Sequence, residues 1–388
     1  MRLAHLADLH LGCRMLDRYT AGGQNVREKD VELALSRAVA DICRWRPDVV
    51  LIAGDVFDSP FPRPRAVIFL MSQLQALRSA GAAVVVVAGN HDTPRSSVDA
   101  PMLPLYQSLG VKVVCQGIVK LWPIPELTVW CAPSASIRQM TGDAMPDPEP
   151  QTRNVLLIHG AAPGYNSLSG GGGEFPMELL RKPWDYVALG HFHVFSHVTE
   201  AACYSGSLDY VSSDPWGELR AQEQLGVPGK GWVAVDLPED RSIGAVVSFR
   251  PIEPARRFLD LVDITCGPEM TPEALSAMIR DALSSQDITD AVVRVVVRDC
   301  PRQLKRSLDH AMIRKFKAQA LALRLDIRPP YEESPDPVRI EQKRASLALQ
   351  LDAALTEMAL PPNVDRAELR KLGQFYLEKV KPRLPGSE

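Results

Sequence analysis

The chain has 388 residues, of which 46% are hydrophobic and 23% charged, so it is able to bury a large core and is suited to two or three globular domains. Its net charge of −3 excludes an overall basic composition of the nucleic-acid-binding kind, although a local basic patch is compatible with that average. The cysteines form no C-x-x-C pair, no apolar run is long enough to span a bilayer, and the start MRLAHLADLH does not resemble a signal peptide, so we expect a cytoplasmic protein with reduced thiols and no membrane contact.

The first 110 residues alternate apolar runs with amphipathic segments. The runs RLAHLA, DVVLIAG and AAVVVVAG are separated by segments with helical spacing at 28–45 and 65–81. This β-α-β-α-β order predicts a parallel sheet with helices on its faces. Uninterrupted apolar runs are typical of strands that are buried on both sides.

The next part of the chain predicts further strands and two loops. Residues 111–150 predict strands followed by a proline-rich acidic loop, and the apolar runs NVLLI and DYVALG come later. Between those two runs lie four consecutive glycines, Gly170–Gly173. Their spacing matches no phosphate-binding loop, so we expect a flexible surface loop.

The character of the sequence changes near residue 256. A small α+β unit with a helix near 272–284 is predicted, and residues 292–330 hold ten Lys or Arg against three acids. We therefore expect three parts: a domain over 1–255, a small basic α+β domain over 256–330, and a linker with C-terminal helices over 331–388.

Two amphipathic helices are predicted after the linker. The first carries an apolar stripe at Leu347, Leu351, Leu355 and Met358. The second begins with a capping-box pattern formed by Asp365 and Glu368.

Side chains that bind metals follow each of the five apolar runs. They are Asp8, His10, Asp55, Asn90, His159, His191 and His193. We expect them to converge on a metal site at the edge of a parallel sheet. Asp8 and His10 are two residues apart, so at a strand end both point to the same side, and Gly54 lets the backbone turn sharply before Asp55.

Seven candidate ligands are too many for one ion and suit two divalent ions about 3.5–4 Å apart. The many imidazoles disfavour magnesium and favour manganese, iron, cobalt or zinc, of which we take manganese as the first choice. Such a site points to hydrolysis of a phosphate ester.

His91 is placed to protonate the leaving oxygen, and Asp92 is placed to fix the tautomer of His91. His5, inside the first strand, is instead expected in the core.

These residues together resemble a known family. The motifs Asp8-Leu9-His10, Gly54-Asp55, Gly89-Asn90-His91-Asp92, His159-Gly160 and Gly190-His191-Phe192-His193 resemble the five motifs of the calcineurin-like metallophosphoesterases. The segments YSGSLDY and GKGWVAVDL are similar to stretches that close the nuclease domain of the SbcD-type DNA-repair exonuclease subunits. The motif GNHD, and Asp58-Ser59 after GDVF, argue against a protein phosphatase; repair nucleases of eukaryotes and archaea often have histidine where this chain has Asp58.

The resemblance implies an α/β fold: a metallophosphoesterase β-sandwich flanked by helices, with a small α+β capping domain and C-terminal helices. It implies a ligand set for each ion. The first ion would be held by Asp8, His10, Asp55 and His193, and the second by Asp55, Asn90, His159 and His191. His91 would be the acid.

The resemblance also implies a substrate and partners. It implies a nuclease subunit that acts on ends or hairpins of double-stranded DNA with an SbcC-type coiled-coil ATPase, as a homodimer within a heterotetramer. The basic segment predicts DNA contacts by Arg294, Arg298, Arg302, Lys305 and Arg306, although such a segment is also typical of a solvated charged face. Two alternatives stay open: a stand-alone phosphodiesterase for small nucleotides, and a mainly structural DNA-end tether.

Overall fold

The computed structural model describes residues 1–96, 98–140, 145–165, 173–330, 351, 355–356 and 365–380. Most of the four-glycine loop, the linker after residue 330 and much of the first predicted C-terminal helix, including Leu347 and Met358, lie outside the described residues. No helix among the described residues is long and apolar enough to cross a membrane. All seven cysteines are free thiols, as the sequence predicts.

Strands and helices follow one another in the order that the sequence predicts for the first 110 residues. The strands are β1 (Arg2–Leu6), β2 (Val49–Ala53), β3 (Ala83–Val87), β4 (Lys112–Val114), β5 (Val119–Ile124), β6 (Leu127–Ala132), β7 (Arg153–His159), β8 (Tyr186–Gly190), β9 (Ser196–His197), β10 (Ala202–Tyr204), β11 (Gly231–Asp236), β12 (Val246–Pro251), β13 (Phe258–Asp260), β14 (Ile264–Thr265), β15 (Val292–Arg298) and β16 (Ala322–Ile327). The helices are α1 (Val26–Trp45), α2 (Pro64–Ser79), α3 (Pro215–Leu225), α4 (Pro272–Ser284), α5 (Arg302–Arg306), α6 (His310–Gln319) and α7 (Arg366–Val380).

Two six-stranded sheets form a sandwich. The first has the order β12-β11-β1-β2-β3-β4, and the second has the order β5-β6-β7-β8-β10-β9. Strands β1 to β4 pair in parallel, as do β6, β7, β8 and β10, and antiparallel strands lie at the edges. The predicted sandwich flanked by helices is therefore confirmed.

Apolar side chains fill both faces of these sheets. Leu51 and Val85 of the first sheet share a buried cluster with Leu157 and Ala188 of the second, so this core lies between the sheets. On the outer face of the first sheet, α1 and α2 contribute a second cluster that includes Ile42. Because each central strand is covered on both sides, β2 and β8 are apolar along their whole length.

His5 of β1 belongs to the packed interior, as predicted. Its side chain is fully buried, and its Nδ1 lies 2.8 Å from the hydroxyl of Tyr186. Burial lowers the pKa of His5 to about 3, so the ring is neutral at physiological pH.

Residues 256–330, here called the capping unit, have a core of their own. Strands β13, β14 and β16 all pair in parallel with β15. Leu275 and Ile279 of α4 pack with Val293 and Val295 of β15 in a third apolar cluster. The unit contacts the sandwich through α3, where the Trp216 and Phe258 rings are 6.0 Å apart.

Helix α7 begins at the predicted capping residue. The carboxylate of Asp365 accepts a hydrogen bond of 2.7 Å from the amide of Ala367, which satisfies one of the free N–H groups of the first turn. Phe375 and Tyr376 lie one turn beyond Leu372 on the helix, and each of the three is at least 50% exposed.

Candidate metal centre

The five strand ends meet between the two sheets. Strands β1, β2 and β3 belong to the first sheet, whereas β7 and β8 belong to the second. Contacts join the two sets: His159 Nδ1 lies 2.8 Å from the carbonyl of Ala53, and the amide of His191 donates to the carboxylate of Asp8 at 3.0 Å. The expectation of one parallel-sheet edge was therefore wrong, because an apolar run does not reveal which layer of a sandwich it joins.

Left-handed backbone turns, rather than strand alternation, direct several of these side chains. Strand β1 ends at Leu6, and φ is +52° at Asp8, +43° at His10, +48° at Asp55 and +110° at His191. For residues other than glycine, such conformations cost about 1–2 kcal/mol each. The turn after β1 is held by main-chain hydrogen bonds of 3.0 Å from Asp8 to Gly54 and from His10 to Asp55.

Ligand-type atoms of the described residues gather in three groups, of which two contain the predicted ligands and the third joins His10 with Asp58 and His91. Within each of the first two groups, Asp8 with His10 and His193, and Asp55 with His159 and His191, these atoms lie within 4.8 Å of one another. The Oδ2 atom of Asp55 lies 3.7 Å from His10 Nε2 and 3.4 Å from His159 Nε2, so it is close to both of these groups. This grouping agrees with the division into two ions that the resemblance implies, while the role of these residues as ligands stays a prediction.

Asn90, the remaining predicted ligand, lies beside the second group. Its Oδ1 is 3.1 Å from His159 Nε2. The Nε2 atoms of His10 and His193 face each other at 3.3 Å. Imidazole nitrogens and carboxylate oxygens thus point toward common positions.

The donor set fits divalent cations. His191 Nε2 is buried and has no hydrogen-bond partner among the described residues. Burial, together with neighbouring His159, lowers the pKa of His191 to about 3, so its lone pair is free at neutral pH. Burial would also lower the pKa of His159, but the Asp55 carboxylate outweighs it and raises that pKa to about 9, so a cation binding there would displace a proton.

Two glycines make room for the cluster. A Cβ atom at Gly54 would lie 2.4 Å from His159 Nδ1, and one at Gly89 would lie 2.0 Å from Asp55 Oδ1. Both distances are far below van der Waals contact, so a side chain at either glycine would displace a candidate ligand.

His91 is brought to the cluster, but its predicted relationship with Asp92 is wrong. Its Nδ1 lies 2.9 Å from the main-chain oxygen of Asp58, and its amide donates to Asp55 Oδ1 at 2.8 Å. Asp92 instead accepts hydrogen bonds from three main-chain amides, those of Val56, Phe57 and Gly89, at 2.9–3.1 Å. Both carboxylate oxygens are occupied in this way, so Asp92 fixes the loops that carry Asp55 and His91.

Asp58 has a second contact that the sequence did not predict. Its carboxylate Oδ1 lies 3.2 Å from His10 Nδ1, the atom opposite the one that faces His193. A carboxylate in this position orients an imidazole and fixes its tautomer. Its position directly after the GDVF motif was the available signal.

Glu218 of α3 also belongs to the site and was missed. Its Oε1 lies 3.2 Å from His193 Nδ1, and its Oε2 forms an ion pair with Lys230. Burial disfavours the carboxylate, but the charges of Lys230 and His193 and the hydrogen bonds from them hold the pKa of Glu218 well below its usual range. No spacing rule links residues 193, 218 and 230, so only the fold reveals the contact.

The basic residues that we predicted for DNA binding do not behave alike. Arg294 is only 6% exposed, forms an ion pair with Asp260 and lies over the Trp216 ring at 5.0 Å, so the prediction that it contacts DNA was wrong. Arg298 is half-exposed but paired with Asp263. Exposed residues of α5 form the remaining predicted set: Arg302, Lys305 and Arg306.

Comparison with known proteins gives a family match and distant relatives. Residues 1–195 match the family described as calcineurin-like phosphoesterase. Proteins named DNA double-strand break repair protein Mre11 are similar: the one from Saccharolobus solfataricus is 26% identical over 64% of this chain and 64% of its own, and the one from Aeropyrum pernix is 30% identical over 62% and 59%. The match thus spans less than two thirds of these relatives' length.

A solved structure of a dimetal phosphatase from Danio rerio aligns with 64% of this chain and 98% of its own. Its TM-score is 0.37 and its sequence identity 13%, values too low to support a functional conclusion.

Proposed function

The chain belongs to the calcineurin-like phosphoesterase family, and from that membership we propose that it is a two-metal phosphodiester hydrolase acting on DNA. The observation that carries this proposal is that the Asp55 carboxylate lies close to ligand-type atoms on both sides of the site, 3.7 Å from His10 and 3.4 Å from His159. A carboxylate has two oxygens and is able to serve two ions at once.

The proposed ligands divide between the two ions as the family resemblance implies. Asp8, His10, Asp55 and His193 would hold one ion, and Asp55, Asn90, His159 and His191 the other. Their nitrogen-rich chemistry favours manganese over magnesium. When bound, the two ions supply positive charge that holds a phosphodiester and lowers the pKa of the attacking water.

We assign the proton transfer to His91. The main-chain oxygen of Asp58 is only able to accept, so the proton of that hydrogen bond belongs to Nδ1 of His91. This leaves Nε2 as the atom that exchanges protons. His91 lines a cleft of about 510 Å³ together with His193 and Asn90, so a substrate in the cleft would lie within its reach.

Double-stranded DNA is the substrate that we favour. The support is the similarity to proteins named for double-strand break repair and the exposed basic residues of α5 in the capping unit. In this proposal residues 1–255 carry the chemistry and 256–330 guide DNA. Because Arg294 and Arg298 are paired with acids, the DNA contacts fall to Arg302, Lys305 and Arg306.

Partners are proposed for two apolar surfaces. Leu372, Phe375 and Tyr376 of α7, within the C-terminal part 331–388, present a face that suits an SbcC-type coiled-coil ATPase. Ile68 of α2 and Leu105 of the adjacent short 3-10 helix Leu103–Leu109 are 66% and 47% exposed, and this pair of helices suits a homodimer. A heterotetramer of two nuclease and two ATPase chains would use both surfaces.

The deciding experiment compares two substrates and two proteins. Purified full-length protein is incubated with end-labelled duplex DNA or with a small aryl phosphodiester, with Mn²⁺ or with a chelator. We expect Mn²⁺-dependent cleavage of DNA that an Asp8→Ala variant lacks while it still binds the duplex.

Three results would contradict this proposal. Cleavage that persists in chelator rejects the metal mechanism. Hydrolysis of the small diester with none of DNA favours a stand-alone phosphodiesterase. DNA binding by the wild type with no hydrolysis of either substrate, at any divalent metal, favours a structural tether.

A further inference from the structure

A buried ion pair lies directly behind His193. The side chains of Glu218 and Lys230 are only 7% and 3% exposed, and the two charged groups are in direct contact. Taking two charges out of water is costly, and a pair of this kind often adds little to stability. The position of the pair against a candidate metal ligand therefore calls for a functional explanation.

The ion pair holds His193 at two points. Glu218 Oε1 lies 3.2 Å from the ring atom Nδ1, and Lys230 Nζ donates to the main-chain oxygen of His193 at 2.8 Å. Lys230 also donates to the hydroxyl of Ser207, whose own amide donates to the same main-chain oxygen at 3.1 Å. Ring and backbone are thus fixed by one cluster.

We propose that Glu218 is a positioning residue that fixes the tautomer and the ring orientation of His193. A carboxylate only accepts, so the proton of this contact belongs to Nδ1, and the lone pair of a neutral His193 is then on Nε2. That atom faces His10 Nε2 at 3.3 Å, where the first group of ligand-type atoms lies. The inference rests on the proposed function, because the group that His193 would bind is a metal ion.

The capping unit fixes the helix that carries Glu218. On α3, the Trp216 ring lies 6.0 Å from the Phe258 ring and beneath the Arg294 guanidinium at 5.0 Å. One turn further, Arg220 pairs with Asp260 at 3.4 Å. Glu218 lies between these contacts in sequence, so its carboxylate is held against His193 by packing between α3 and the capping unit.

Two substitutions separate positioning from simple charge pairing. Glu218→Gln keeps an acceptor oxygen at the same distance along the side chain but removes the charge. Glu218→Asp keeps the charge but withdraws the acceptor by one methylene. Matched controls are Glu223→Gln and Glu223→Asp, because Glu223 is exposed on the same helix.

Two measurements are made on the full chain. The ¹⁵N shifts of His193 in metal-free protein report its tautomer, and calorimetric titration with Mn²⁺ reports the affinity and the number of ions. For Glu218→Asp we expect a mixed tautomer and a loss of affinity for one ion of about 10–100-fold. For Glu218→Gln we expect a wild-type tautomer and near wild-type affinity with a lower melting temperature, and no change in the Glu223 controls.

The inference would be overturned if the two Glu218 variants ranked the other way in tautomer and Mn²⁺ affinity. If Glu218→Asp keeps the wild-type tautomer and affinity while Glu218→Gln loses them, the residue acts through its charge alone. If neither variant changes His193, the ion pair serves only stability. Failure of wild-type protein to bind Mn²⁺ would count against the proposed function, whereas the ¹⁵N shifts of metal-free protein judge Glu218 independently.

Discussion

His91 Nδ1 lies 2.9 Å from the main-chain oxygen of Asp58, and this contact, rather than one with the adjacent Asp92, sets the orientation of the ring. A main-chain oxygen keeps its place whatever side chain it belongs to. The Nε2 atom of His91, which we propose exchanges the proton, is therefore placed by the loop after β2.

Replacing His91 by glutamine should slow the chemical step without removing metal. We expect kcat for DNA cleavage to fall about 10²–10⁴-fold, because general acid catalysis contributes that much. Mn²⁺ affinity should stay near the wild-type value, as His91 is not among the seven proposed ligands. A variant with full turnover would reject His91 as the acid.

Adding one methyl group at Gly54 should disrupt the site. The new Cβ would lie 2.4 Å from His159 Nδ1, so we expect Gly54→Ala to lose most Mn²⁺ binding. Gly81→Ala is the matched control, since Gly81 also has positive φ, +95°, but no heavy atom within 4 Å of its added Cβ. The control should lose about 1 kcal/mol of stability and keep metal binding. Equal metal affinity in both variants would contradict this picture.

Two sets of basic residues should respond differently in DNA binding. The triple variant Arg302→Ala, Lys305→Ala and Arg306→Ala should weaken binding and reduce the slope of log affinity against log salt by about 0.9 for each DNA phosphate that the variant no longer neutralises. Arg294→Ala should lower the melting temperature, because it removes the ion pair with Asp260 and the cation–π contact with Trp216, and should leave the salt slope unchanged. Salt titrations and thermal melts decide, and a slope that falls only in Arg294→Ala would reject the assignment.

The metal-free protein should lose stability as pH rises. The pKa of His159 is raised in the folded state from 6.5 to about 9, so its protonated form stabilises the fold fully below pH 6.5, and this contribution is lost as pH rises through about 9. The melting temperature in chelator should therefore fall across that window. With saturating Mn²⁺ the fall should be absent, since the ion displaces the proton and binds better at higher pH. A flat profile in chelator would contradict the proposed protonation of His159.

The sequence predicted those parts of the candidate site that depend on residues adjacent to one another in the chain. Asp8, Asp55 and His159 each follow an apolar run, and buried parallel strands carry such residues to one end of the sandwich. The division of the strands between two sheets could not be predicted, since both sheets are made of equally apolar runs.

Contacts between residues far apart in the chain explain the remaining differences between the sequence predictions and the structure. Arg294 is neutralised by Asp260, which lies 34 residues away, so a count of basic residues did not reveal that it is buried. Glu218 and His193 are 25 residues apart, with no motif to connect them. Asp92 was predicted to contact its neighbour His91, but its carboxylate turns to main-chain amides that only a folded loop presents.

The spread of the site along the chain has a consequence during protein synthesis. The first proposed ligand is Asp8 and the last is His193, and the ion pair behind His193 is completed only at Lys230. A ribosome that stops before residue 193 therefore releases a fragment without the complete set of proposed ligands. Since domains fold as units once their residues have emerged, the proposed metal site would be complete only in chains long enough to form both sheets and the ion pair behind His193.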